Sequence, residues 1–86
     1  MSDVVRSQVA EAVIAREDTK SGGRYALVTA GGAAQMTFSR VSPALIIIDH
    51  TEVADALRGA GAGQRLAAHA IGDARAGGWI VVLHGN

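Results

Sequence analysis

The chain has 86 residues, with eight basic and eight acidic side chains and no net charge, which argues against a nucleic-acid surface or an acidic tail. It lacks cysteine, so disulfides and thiolate chemistry are excluded, and without cysteine the three histidines, at no zinc-like spacing, give no reason to assign a metal. Nearly half of it is apolar, yet it holds a single Trp, Tyr and Phe, so one thin core of Leu, Ile and Val is expected. No basic segment leads into a long apolar run, and Leu45–Ile48 is far too short to cross a bilayer, so the expectation is one cytoplasmic domain with no membrane partner.

Near the start, Val5, Val9, Ala12 and Val13 recur at near-helical spacing, while Val13-Ile14-Ala15 equally suits an edge strand, so a short helix and a strand both remain open. Arg16 to Gly23 is dense in charge and turn formers and reads as a solvated loop. Arg24 to Thr29 predicts a strand with Tyr25 and Leu27 on one face, and Ala30-Gly31-Gly32 a hairpin connection. Ala34, Met36 and Phe38 alternate with Gln35, Thr37 and Ser39, as in a half-exposed antiparallel strand. Ser42-Pro43 ends it, because proline fixes φ and cannot donate to a ladder. Ala44 to Ile48 follows as an unbroken apolar strand, expected to be the most central and buried on both faces.

The chain then runs through Asp49-His50-Thr51-Glu52-Val53 to Arg58-Gly59-Ala60-Gly61-Ala62-Gly63 and into a helical pattern over Gln64–Ala76. Glycines ahead of a helix let backbone N–H groups approach an anion, and the unpaired donors of the first turn point at it. Arg58 adds a planar cation suited to phosphate oxygens. The strand, loop and helix thus read as a pyrophosphate cradle; the other reading is a tight connection with a solvated arginine. A dinucleotide fingerprint is excluded, since Gln64 and Leu66 stand where its last glycine would, and no Lys-Ser/Thr pair follows Gly63 as a P-loop requires. Leu66, Ala67, Ala70, Ile71 and Ala74 form the apolar stripe of the helix, with Gln64, Arg65, Asp73 and Arg75 facing water and His69 on the border near Asp73. Gly72 suggests close packing on the sheet, and Gly77-Gly78 stops the helix. Trp79 to Leu83 predicts a strand parallel to the one ending at Ile48, because a helical crossover joins them.

The Arg-x-x-Gly-x-Gly segment resembles the coenzyme A loop of the GNAT acetyltransferase superfamily. His50-Thr51-Glu52-Val53 with Ala56-Leu57-Arg58-Gly59 is similar to its minimal single-domain group, over about Gly23 to Val82. The resemblance implies an α+β fold: an antiparallel meander, one main helix and a parallel strand. It implies an N-acetyltransferase that uses acetyl-CoA as co-substrate and an unidentified amine as acceptor. Val53, Arg58, Gly59, Ala60, Gly61, Ala62 and Gly63 would bind the cofactor, and His50 and Glu52 would be catalytic. Residues two apart on a strand share a face, so His50 and Glu52 are expected to point together, with Asp49 and Thr51 opposite. A histidine suits a base at neutral pH, whereas a glutamate needs its pKa raised. The alternative for this pair is a hydrogen-bonded strand end. Relatives in that group continue the last strand into Pro-Leu-Cys-Pro and a further helix. Here His84 stands near the position of that cysteine and the chain stops at Asn86, so by the resemblance a C-terminal segment is missing. A second function class therefore stands beside the enzyme: a catalytically impaired acyl-CoA-binding or interaction module on the same fold.

Overall fold

The computed structural model describes residues 3–83; Met1, Ser2 and the position of His84 lie outside them. Helix α1 (Asp3–Glu11) is followed by strands β1 (Ile14–Asp18), β2 (Gly22–Thr29), β3 (Gly32–Ser42) and β4 (Leu45–Val53). A single 3-10 turn (Asp55–Leu57), helix α2 (Ala62–Gly77) and strand β5 (Ile80–Leu83) complete the order. The five strands lie in sequence order, the first four antiparallel and β5 parallel to β4. The fold is the expected α+β arrangement: a meander, one main helix and a terminal parallel strand.

Alternation builds one buried face. Tyr25 pairs with Met36, Leu27 with Ala34 and Phe38 with Ile48, and these side chains with Ile46 form a single cluster. Val9 of α1 and Ala62, Leu66 and Ala70 of α2 join that cluster, so both helices cover the same face of the sheet. Arg24, Ala26, Val28, Gln35, Thr37 and Ser39 point to the other face, which no helix among the described residues covers. The expectation that Ala44–Ile48 is central and buried on both faces is corrected accordingly. β3 is the middle strand, and Leu45 and Ile47 are only half-buried.

Other expectations change too. The two open readings of the start divide between α1 and β1, so both elements form. The charged stretch is strand rather than loop as far as Asp18, because its charges are paired within the hairpin. Arg16 Nε meets Asp18 at 2.9 Å, and Arg24 Nη2 meets Glu17 at 2.6 Å. Past the half-buried Ile14, an edge strand exposed from Ala15 to Asp18 needs no apolar alternation. On α2, Arg65 and Asp73 turn inward instead of facing water. Arg65 Nη1 donates to the carbonyl of Val9 at 2.9 Å and to that of Ala12, satisfying orphan carbonyls at the end of α1. Ile71 is 44% exposed, so the buried stripe is Ala62, Leu66, Ala70 and Ala74 at four-residue spacing. A side chain at Gly72 would meet nothing within 4 Å, so close packing does not explain that glycine. Gly78, at φ 78°, caps α2 in the left-handed region with its N–H on Ala74, and the Trp79 ring fills the space beside Gly77.

Asp73 ties α2 to the sheet. The fully buried Tyr25 donates its hydroxyl to Asp73 Oδ2 at 2.9 Å, and Arg16 Nη1 lies 3.3 Å from the same oxygen. Burial, and then the Asp73 carboxylate, push the Tyr25 phenol up to about 12. A phenol whose folded pKa is raised contributes stability that is complete below the unfolded value near 10 and is lost as pH rises through the folded value. Tyr25 is the chain's single tyrosine, so absorbance titration reports it alone. We expect ionisation near the raised value and a thermal midpoint that falls between about pH 10 and 12. That fall should be largely absent in Tyr25→Phe, which should itself cost roughly 1 kcal/mol at neutral pH.

Candidate functional site

The site begins with an irregularity in the central ladder. Phe38 pairs with Ile48 and Thr37 with His50, so Asp49 is an extra residue on β4. Such a bulge shifts the alternation by one. Ile46 and Ile48 face the core before it, and Thr51 and Val53 lie opposite the core residues Met36 and Ala34 after it. His50 and Glu52 therefore point to the open face, opposite Thr37 and Gln35. His50 Nε2 lies 3.2 Å from Glu52 Oε1, with the two side chains 62% and 61% exposed. Asp49 does not lie on the Thr51 side as strict alternation predicts. Its Oδ2 accepts the Ser39 hydroxyl at 2.5 Å on the open face, so the bulge gathers Asp49, His50 and Glu52 on one side.

Among the described residues, pairing between β4 and β5 runs from Leu45↔Ile80 to Ile48↔Leu83. From Asp49 to Val53, the pairing of β4 among the described residues is with β3. This end of β4 leads into the 3-10 turn, whose fully buried Leu57 anchors the following loop in the core. Gly59 and Gly61 then adopt φ of 78° and 88°, the left-handed region that side chains disfavour. Gly61 is the N-cap of α2 and no side chain caps the helix; the Arg65 N–H makes the first helical bond, to Gly61 O at 3.0 Å. The amides of the first turn thus stand at an uncapped helix start beside this end of β4. A side chain at Gly63 would meet nothing within 4 Å, so space is open in front of them.

The family model of the GCN5-related N-acetyl-transferases matches residues 24–85, well over half of the chain. The chain belongs to this family. No curated protein matches it. Within this acetyltransferase scaffold, the loop and strand residues singled out in the sequence fall along one path, from the bulge through Val53 to the start of α2. Val53 and Ala60 are half-buried against the core, and Ala62 is buried, so these three face the path through their backbones. Arg58 stands outside it: its Nε meets Asp55 at 3.0 Å, and both side chains are largely exposed. Sequence reasoning missed Asp55 as the counter-charge of Arg58, although the i,i+3 spacing signals it. It also missed Asp49 as a neighbour of His50, which only the bulge brings about. Among the described residues no three His, Asp or Glu side chains come together as a metal group, and no helix is long and apolar enough to cross a membrane.

The two glycines of the turn should separate in stability. A left-handed residue with a side chain costs roughly 1–2 kcal/mol, so Gly61→Ala should lower the denaturation midpoint. Gly63 is helical with free space around it, and Gly63→Ala should be neutral or raise stability by up to ~1 kcal/mol. Urea unfolding of the two variants checks the contrast.

Proposed function

We propose that this member of the acetyltransferase family is a cytoplasmic, acetyl-CoA-dependent N-acetyltransferase acting on an amine. The observation that carries the proposal is the uncapped start of α2 behind the left-handed Gly59 and Gly61, following a β4 stretch, Asp49 to Val53, that among the described residues pairs with β3. Unpaired N–H groups and the positive end of the helix dipole make that turn an anion site, and a coenzyme A pyrophosphate is an anion. The residues fit such a group: Gly63 leaves room for close approach, and Ala60 and Ala62 turn their side chains away. Arg58 is the flexible cation that moves from Asp55 to a phosphate oxygen when one is present.

Acetyl transfer releases a proton from the amine. His50 is the side chain on this strand that offers a ring nitrogen to take it, and Glu52, 3.2 Å away, orients the ring. The reading of a binding module without turnover is favoured by one observation, the exposure of that pair: water reaches it freely, and general-base catalysis needs the acyl group held in place.

Calorimetric titration with coenzyme A tests the cradle. Arg58→Ala should weaken binding roughly ten-fold or more, the loss of a charge-assisted contact. Asp55→Ala frees the arginine from an exposed pair worth at most ~1 kcal/mol and should tighten binding by up to about five-fold. Unchanged affinity in both variants refutes the role of Arg58. For chemistry, His50→Ala should lower the acetyl-transfer rate by roughly 10²–10⁴-fold with coenzyme A affinity retained. Binding by the parent without transfer to any amine selects the module instead.

A further inference from the structure

The two edges of the sheet are built differently. β1 carries Arg16, Glu17 and Asp18 along its exposed length, and such charges keep an edge strand from pairing with another chain. β5, Ile80-Val81-Val82-Leu83, carries none, and among the described residues no strand lies beyond it. We propose that β5 is a self-association edge, at which a second copy of this chain adds its own β5 antiparallel about a two-fold axis. The proposal stands apart from the acetyl-transfer reading and needs no cofactor.

Both faces of this edge are apolar. Ile80 and Val82 pair with Leu45 and Ile47 of β4 and share the open face, where Ile80 is 65% exposed. Leu83 pairs with Ile48 on the helix-bearing face and is 70% exposed. Ile80 donates its N–H to the Ala44 carbonyl at 2.8 Å, so it is bonded toward β4. Successive N–H groups along a strand point to opposite edges, which turns those of Val81 and Leu83 outward with their carbonyls. Outward donors and acceptors at this spacing select another strand as the occupant.

Charge decides which strand that is. Pairing β5 with β1 of a second copy would set three charged side chains against Ile, Val and Leu, which offer no counter-charge. Its two unlike surfaces would also extend into an open filament rather than close. Pairing β5 with itself sets apolar on apolar on both faces and closes as an isologous dimer. The chain has no net charge, so two copies approach without overall repulsion. With Val81 on the axis, its N–H and C=O exchange two bonds with the same groups of the second copy. Ile80 then lies opposite Val82 of the second copy on the open face. A four-residue strand pair falls short of the ~800 Å² per partner of a standard interface, so the association is weak and reverses on dilution.

Sedimentation velocity of the whole chain, from micromolar to millimolar concentration, tests the proposal. A monomer–dimer equilibrium without larger species is expected. Val81→Pro removes one outward N–H and leaves the Ile80 bond to β4 in place. It should raise the dimer dissociation constant roughly ten-fold or more, with the circular dichroism spectrum unchanged. The chain has no cysteine, so single introduced cysteines report the register. Mixed Ile80→Cys and Val82→Cys chains should form their mixed disulfide several-fold faster than either variant links to itself. Directly opposite positions lie within disulfide reach, whereas the diagonal ones do not. Should Val81→Pro fail to fold, the cysteine pair decides alone. A monomer at every concentration, oligomers that keep growing, a dimer indifferent to a folded Val81→Pro, or equal cross-linking in mixed and separate samples overturns the proposal.

Discussion

The pairing of β3 with β4 carries the geometry on which everything else depends. An unbulged ladder would continue the alternation of Ile46 and Ile48 and drive His50 and Glu52 toward the core. Two ionisable groups there would need partners that an apolar cluster does not supply. Inserting Asp49 costs one unpaired residue and rescues the pattern. Apolar residues stay inward up to Ile48, Val53 returns to the core, and the charged stretch between reaches water. The same insertion directly follows the last β4–β5 pair among the described residues, Ile48 with Leu83.

Helix α2 is aimed by contacts at both ends. Near its start, Arg65 holds the last carbonyls of α1, and near its end Asp73 holds Tyr25 and Arg16. Between them, small alanines let Leu66 and the sheet side chains meet closely. A chain this short has one thin core and a marginal free-energy balance. Polar ties to backbone carbonyls and to a buried hydroxyl therefore matter more for orienting the helix than they would in a larger domain. The buried Leu57 completes the constraint, because it fixes the loop whose two left-handed glycines turn the chain into α2.

Much of this was legible residue by residue. Alternation in Tyr25–Leu27 and Ala34–Phe38 marked the buried face, Pro43 marked the break, and Gly77-Gly78 the helix stop. The Arg-x-x-Gly-x-Gly run before a helix marked the candidate anion site, because glycine at those spacings has a backbone reason. What misled was side-chain polarity taken as a proxy for exposure or disorder. Arg16, Glu17 and Asp18 looked like loop because their partners are in part distant in sequence: Arg24 across the hairpin and Asp73 on the helix. Arg65 and Asp73 looked solvated because hydropathy does not register a carbonyl or a phenol waiting on another element.

The sequence by itself determined the meander, the single crossover helix, the parallel last strand and the glycine turn, because each follows from short-range periodicity and backbone permissiveness. Family membership was legible for the same reason, through a compact motif whose spacing is local. Only the tertiary structure decided which side of the sheet the polar end of β4 faces. A bulge is a mismatch between two strands, invisible in either one alone, and it alone sets Asp49 beside His50 on the open face. Tertiary packing also decided that Arg58 rests on Asp55, that Arg65 caps α1, and that Ile71 stays outside. Each of these depends on where a second element lies, and that position comes from the balance of the whole core.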